Sequence, residues 1–264
     1  MSRNNQLRQA AKFLFEAHQN KEVFLQLPQH LSPNDIEEAY NIQNFYHELI
    51  SPDNGDMIGY KIALTSETMQ QMVGFGHPCS GALFSKGVFT SPASVDSSDY
   101  VRLGAECEIA VILGEDIPPT RVPYDQKSIT KFIRSLYPAL ELIEDRGADY
   151  SNLYFMDVIA DNTWNAGIVL GPECTNPTQL ELISSVGQMS INGNLIDQGT
   201  GGDVLGHPFK ALAWLANHLI ERDKPLLEGM IIMTGSIVKT KFLNKGDQVK
   251  YDFEGLGKVH MSVY

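Results

Sequence analysis

Along the first fifty positions, apolar residues recur with the period of a helix. Leu7, Ala10, Ala11 and Leu14 fall at i, i+3, i+4 and i+7, the spacing that lines one stripe of an amphipathic helix. A second helix is predicted from Ser32. Its hydroxyl suits a cap, Pro33 suits the first helical position, and Asp35 stands three residues after the cap to close a capping box. The turn formers Ser51-Pro52-Asp53-Asn54-Gly55-Asp56 end this helical stretch, and Met57-Ile58-Gly59-Tyr60-Lys61-Ile62 follows as a strand.

From about residue 100 the period changes to two. Glu106, Glu108 and Ala110 alternate with Cys107, Ile109 and Val111, which predicts a strand. Met189-Ser190-Ile191, Asn192-Gly193 and Asn194-Leu195-Ile196 predict a hairpin, because Asn-Gly accepts the positive φ of a type I′ turn. A further helix fits Pro208 to Glu221. Two closing strands are expected where Val249, Tyr251 and Phe253, then Val259, Met261 and Val263, alternate with polar residues, one face buried and the other wet. No internal repeat or low-complexity tract interrupts this order.

Charge and composition narrow the partners. The formal net charge is −12, from 32 acidic and 20 basic residues, and no Lys/Arg cluster occurs, which disfavours a nucleic-acid partner. Apolar runs such as Ile231-Ile232-Met233 fall far short of the roughly 18 to 20 residues that span a bilayer. The first residues lack an apolar signal core, so a cytoplasmic protein with no membrane partner is expected. Cys79, Cys107 and Cys174 are odd in number and widely spaced, so neither a disulfide frame nor a zinc site is expected.

The candidate chemistry lies in carboxylates that interrupt apolar runs. Glu106 and Glu108, two apart on a strand, leave the same face with Cβ atoms about 6 to 7 Å apart. Leu103-Gly104 before them and Ile109-Ala110-Val111-Ile112-Leu113 after them are the setting of a core strand, where two ionised carboxylates repel unless a positive partner is present. Glu141 interrupts a second such run, Tyr137-Pro138-Ala139-Leu140-Glu141-Leu142-Ile143. Buried unpaired carboxylates are expensive, and a common partner would explain both intrusions. Three carboxylates suit a hard divalent cation, Mg²⁺ or Mn²⁺, better than zinc, which prefers His or Cys. The other reading of a Glu-x-Glu is a solvated sheet face.

Several ordered blocks together resemble the 2-keto-4-pentenoate hydratase group of the fumarylacetoacetate hydrolase superfamily over roughly residues 55 to 264. They are Gly59-Tyr60-Lys61-Ile62-Ala63-Leu64-Thr65-Ser66, Glu106-Cys107-Glu108, Ala139-Leu140-Glu141 with Asp145-Arg146, Ala160-Asp161-Asn162, Leu205-Gly206-His207-Pro208 leading into Ala211 to Ala216, and Thr234-Gly235-Ser236. The resemblance implies an α+β fold: a small, mainly helical N-terminal portion, residues 1–75, and a mixed β-roll catalytic domain, residues 76–264. It also implies a cation on Glu106, Glu108 and Glu141, a homo-oligomer, and action on short 2-oxo acids, often from aromatic-ring breakdown. One block departs from the group. Where an acidic Pro-Asp-Phe-Gly or a close variant is common, this chain reads Pro78-Cys79-Ser80-Gly81.

The charges of such a site dictate what it would do. A 2-oxo acid offers a carboxylate oxygen and a keto oxygen to one cation, which stabilises the charge of a dienolate before water adds. Three Glu and one divalent ion sum to −1, so an anionic substrate needs a further cation, and Lys61 is the candidate for positioning it or moving a proton. Gly235 and Ser236 would bring backbone N–H groups to a substrate carboxylate, or form a simple turn. Asp161 and Asn162 would line the pocket, or form an Asx turn. His207 reads as a cap or packing residue, and Trp164 and Trp214 as core or interface aromatics. Arg146 would pair with Asp145 or Glu141 as support, or form a surface ion pair. The leading expectation is a lyase hydrating a 2-oxo-4-enoate. A 4-oxalocrotonate-type decarboxylase, an acylpyruvate C–C hydrolase and a non-catalytic metabolite-binding subunit are the alternatives.

Overall fold

The computed structural model describes residues 2–264. Two long helices open it, α1 (Arg3–Gln19) and α2 (Ile36–Asn54). The stripe Leu7, Ala10, Ala11 and Leu14 is buried and continues to Ala17, packing on Ile42, Tyr46 and Ile50 of α2. α2 starts later than the Ser32 cap would require. Asp35 is the cap, its carboxylate accepting from Glu38 N at 2.9 Å, and Glu38 is in turn held by Arg3. A carboxylate is the stronger acceptor for an N-terminal N–H, and Glu37 and Glu38 then sit in the first turn, where the helix dipole favours acids.

Next come β1 (Met57–Ala63), the short α3 (Glu67–Val73), β2 (Cys79–Phe84), β3 (Val88–Thr90), β4 (Ala93–Val95) and β5 (Leu103–Leu113). They are followed by α4 (Gln126–Ile129), β6 (Ile133–Glu144), α5 (Phe155–Ala160), β7 (Asn165–Leu170), β8 (Val186–Ile191) and β9 (Asn194–Thr200). The chain closes with α6 (Pro208–Glu221), β10 (Ile231–Met233), β11 (Lys241–Phe242), β12 (Gln248–Phe253) and β13 (Gly257–Val263).

The strands form two mixed sheets. One has eight strands in the order β2-β1-β10-β5-β6-β7-β3, with β11 also on β5, and the other has five in the order β4-β13-β12-β8-β9. Thus β1, although it follows directly on the helices, is a strand of the large sheet, parallel to β10 and antiparallel to β2. Asn192 (φ 53°) and Gly193 (φ 80°) make the left-handed turn that joins β8 to β9.

Alternation divides the large sheet's two faces. Ala105, Cys107, Ile109 and Val111 of β5, with Leu136, Leu140 and Leu142 of β6, face the main core. That core also takes Val249, Tyr251, Phe253, Val259 and Met261 from the small sheet and Leu212, Leu215 and Leu219 from α6. His207 caps α6, its Nδ1 accepting from Phe209 N at 3.0 Å, which gives this histidine a structural post. The opposite face of the large sheet carries Leu83, Ala110, Ala139, Ile168 and Met233. None of the helices among the described residues is long and apolar enough to cross a membrane.

The segment joining α1 to α2 is fastened to α5, where the Asp157 carboxylate accepts from Leu27 N at 2.8 Å and its other oxygen is buried without a partner. Burial, reinforced by the neighbouring charge of Asp161, pushes Asp157 up to about 6. A carboxyl raised above its ordinary value favours the protonated form in the folded state. Its contribution is therefore complete below about pH 4 and is lost as the pH rises through about 6. We expect Asp157→Asn, which is neutral and keeps an acceptor for Leu27, to melt above the parent at pH 7.5, with the gap closing toward pH 4. Thermal melts across that range check this, and a gap independent of pH would refute it.

Candidate metal centre

β5 and β6 are antiparallel, with Glu106 directly opposite Glu141 and Glu108 opposite Ala139. Opposed residues share a face, as do residues two apart on one strand, so the register puts all three carboxylates on the face of Ala110 and Ala139. Glu108 and Glu141 are fully buried there, and Glu106 is partly exposed. One oxygen from each of the three lies within 4.8 Å of the others.

Lys61 comes to the same place from farther away. It pairs in register with Met233, and Met233 with Ala110, so it stands on the carboxylate face with only 2% of its surface exposed. Three strand spacings separate β1 from β6, roughly 14 Å in a flat sheet at about 4.8 Å per spacing. Lys61 Nζ nevertheless lies 3.3 Å from Glu141 Oε1, so the sheet curls around this face.

Each carboxylate has one oxygen engaged by the protein. Glu141 Oε1 accepts from Asn165 Nδ2 at 2.8 Å besides its contact with Lys61. Glu108 Oε2 accepts from Gly235 N at 2.8 Å, and Glu106 Oε1 accepts from the Thr240 hydroxyl. The second oxygens of Glu108 and Glu141 are buried without a hydrogen-bond partner among the described residues.

Charge explains what this cluster calls for. Burial, then the Glu141 and Glu106 charges, push Glu108 well above the usual carboxylate range. Glu106 rises through burial and the Glu141 charge, against Lys61 and Thr240, which pull it down. Burial alone would depress Lys61, but Glu141, Glu106 and Glu108 outweigh it and hold the ammonium above its ordinary value. Three carboxylates and one ammonium sum to −2, which a divalent cation brings to zero. Oxygen-only donors with orphaned inner atoms fit a hard cation, Mg²⁺ or Mn²⁺, and offer no sulfur or imidazole for zinc.

The remaining expected site residues play other parts. The Gly235 N–H points at Glu108 rather than standing free for a substrate carboxylate. Its φ of 110° and the Thr65 side chain, pressed against the place a Cβ would take, leave no room for another residue. Ser236 Oγ bonds the carbonyls of Cys107 and Val238. Asp161 is bonded by His18 Nε2 at 2.7 Å and Arg146 at 2.9 Å. Asn162 accepts from Ala82 N and donates to Ala82 O, and its Oδ1 also meets His47 Nε2. These side chains are engaged by the protein, and Asp161 and Asn162 also line a cavity of about 410 Å³ together with His18, Arg146 and Asn165. Arg146 pairs with neither Asp145 nor Glu141; it is buried against Asp161, while Arg102 holds Asp145. Trp164 packs with Phe24 and Ile143 in a small buried cluster.

Cys79, in place of the acid common in the resembling group, is buried and pairs with Ala63 beside Lys61. Burial pushes its thiol up to about 12, so it brings no charge. Asn165 and Thr240 escape a reading of the sequence. Neither carries a periodic or charge signal, and only Asn165's place three residues after Asn162 hints at it.

The fold is a mixed β-roll carrying an acidic triad with the chemistry to hold a hard cation, and comparison with known proteins agrees on the fold. A family profile described as "Fumarylacetoacetate (FAA) hydrolase C-terminal" matches residues 67–264. The chain belongs to that family. It is 31% identical over 255 residues to a 2-keto-4-pentenoate hydratase of Paraburkholderia xenovorans, covering 96% of this chain and 93% of that protein. To a 2-oxo-hept-4-ene-1,7-dioate hydratase of Escherichia coli it is 31% identical, covering 85% of each. In structure it superimposes on a 4-oxalocrotonate decarboxylase of Pseudomonas putida G7, complexed with magnesium and adipate, with a TM-score of 0.92 and 24% identity over 100% of this chain and 99% of that one. At that identity the superposition speaks to the fold.

We expect Glu108→Gln to melt higher than the parent without cation, because it removes one of three crowded charges. Saturating Mg²⁺ should raise the melting temperature of the parent by several degrees and leave the variant unmoved. Equal Mg²⁺ shifts in both proteins would show that Glu108 holds no ion.

Proposed function

We propose that this chain is a divalent-metal-dependent hydro-lyase that adds water to a 2-oxo-4-enoate of the 2-keto-4-pentenoate type. The observation that carries the reading is the buried triad itself. Three carboxylates converge on a common point with two inner oxygens unbonded, and a buried lysine stands against one of them. The hydratase names of the two relatives at 31% identity support the reaction class.

Glu106, Glu108 and Glu141 would hold Mg²⁺ or Mn²⁺. When bound, the ion supplies Lewis acidity for negative charge growing on the keto oxygen of a 2-oxo acid. The protein's own groups do the rest. Gly235 N, Thr240 and Asn165 each fix one carboxylate, so the donor set is oriented before any ligand arrives. Hydration requires a proton to leave C3 and one to enter at C5, which moves the double bond to C3–C4. The hydroxyl of water then adds at C4 and its proton returns to C3. Lys61 Nζ is the one buried ammonium against the triad among the described residues. Held above its ordinary value by the carboxylates, it enters as a protonated cation that attracts the substrate carboxylate and has a proton to deliver. Partial neutralisation of the glutamates lowers that hold and brings its proton within reach of exchange. The thiol of Cys79, neutral and buried nearby, keeps this corner from adding a fourth negative charge.

Lys61→Met removes the ammonium while keeping the length of the stem. Turnover should fall by about 10²- to 10⁴-fold, with Mg²⁺ affinity kept or raised because a positive neighbour is gone. The assay follows loss of dienol absorbance from 2-hydroxypenta-2,4-dienoate and formation of 4-hydroxy-2-oxopentanoate by NMR. Stoichiometric CO₂ from 4-oxalocrotonate with no hydrated product from the dienoate would replace the hydratase assignment with a decarboxylase.

A further inference from the structure

Three consecutive non-glycine residues, Asn162 (φ 52°), Thr163 (φ 48°) and Trp164 (φ 59°), adopt left-handed backbone between α5 and β7. L-residues avoid this region, and a β-branched threonine avoids it most. Such an elbow persists only where its surroundings over-determine it. Here they do. The Asn162 carboxamide is bonded at both ends to Ala82 of β2, at 2.7 and 3.0 Å, and His47 of α2 reaches its Oδ1 at 2.8 Å. One residue earlier, the buried Asp161 is gripped by His18 of α1 and by Arg146, just past the end of β6. Burial pushes His47 down to about 4, so near neutral pH it is uncharged and able to donate its one ring proton to Asn162.

What the elbow delivers is Asn165. In regular pairing with β6 the residue opposite Ile143 would be Ala166, but the register shifts between Leu142 and Ile143 and brings Asn165 there instead. Ile143 shares a face with Glu141, two residues away, so the irregularity turns Asn165 onto the carboxylate face. Its Nδ2 then meets Glu141 Oε1 at 2.8 Å. Carboxylate oxygens only accept, so the amide must present its donor end. With Oε1 shared by Asn165 and Lys61, Oε2 is left as the buried, unbonded atom.

We propose that Asn165 is a positioning residue that selects which oxygen of Glu141 faces the cation, and that His18 and His47 of the two N-terminal helices hold the elbow that aims it. This rests on the cation-site reading above. It gives the helical layer a part in the site that touches no ligand: it preorganises a carboxylate through Asp161 and Asn162.

The test titrates the full-length protein with Mn²⁺ by calorimetry, at a temperature well below melting, with circular dichroism as a check on folding. Parent and Glu141→Gln come first. If these two bind Mn²⁺ alike, the cation site itself is misplaced, an outcome distinct from failure of the positioning role. Given a parent site, Asn165→Leu, close in volume but without a donor, should bind Mn²⁺ about 10- to 100-fold more weakly. Asn165→Ala serves if the leucine variant does not fold. His47→Ala, remote from the three glutamates, should weaken the same constant by a smaller factor. An unchanged Mn²⁺ constant in a folded Asn165 variant overturns the positioning role. A weakened constant there beside an unchanged one in His47→Ala overturns the part assigned to the helices.

Discussion

Three like charges crowded on a buried sheet face set the terms for the rest of this structure. Glu106, Glu108 and Glu141 rise from two paired strands into surroundings of Ala110, Ala139 and Met233, where their mutual repulsion is poorly screened. Removing them from water is costly, and the fold answers with directed donors: a backbone N–H from Gly235, the hydroxyl of Thr240, the amide of Asn165 and the ammonium of Lys61. The donors come from three parts of the chain: Lys61 from β1, Asn165 from the start of β7, and Gly235 and Thr240 from the segment between β10 and β11. The curl of the large sheet brings Lys61 across two intervening strands, and the loop after β10 folds back over β5 to bring Gly235. Even so, among the described residues one oxygen each of Glu108 and Glu141 stays unbonded, which is the donor arrangement a hard cation would use.

Around this centre lies a second ring of buried charges that are paired among themselves. Arg146 with Asp161 and His18, and Arg102 with Asp145 and Tyr150, tie the end of β6 to α1 and to the loop before α5. In Asp161, burial would raise the carboxyl, but the His18 and Arg146 charges overcome it and hold it below the usual range. Asp161, which lines a cavity, thus also serves as a strut. Breaking such a buried pair strands an uncompensated charge, which makes these struts demanding of their partners.

The same separation of roles bears on chemistry. Among the described residues, Lys61 is the one buried cation that faces the triad, whereas Arg146 and Arg102 are committed elsewhere. A neutral thiol at Cys79 leaves Lys61 with the glutamates as its main electrostatic partners. In the proposed reaction, proton transfer and substrate attraction would therefore fall to one side chain, whose state is tuned by the same carboxylates that would bind the ion.

Much of the scaffold is legible in the sequence because its cause is local. Period-3.6 and period-2 alternation marks α1, α6, β5, β12 and β13, Asn192-Gly193 specifies its own turn, and carboxylates inside apolar runs mark Glu106, Glu108 and Glu141 as anomalies. The start of α2 is less legible: Ser32 and Asp35 both suit a cap, and the cap falls to Asp35, the stronger acceptor, whose neighbour Glu38 is also held by Arg3 from another helix. What the tertiary structure alone decided is convergence. That Glu141 stands opposite Glu106, that Lys61 reaches across two strands, that Arg146 seeks Asp161, and that a one-residue register shift turns Asn165 onto Glu141 all depend on strand register and sheet curl. Those are set by contacts between residues far apart in the chain, and no local pattern encodes them.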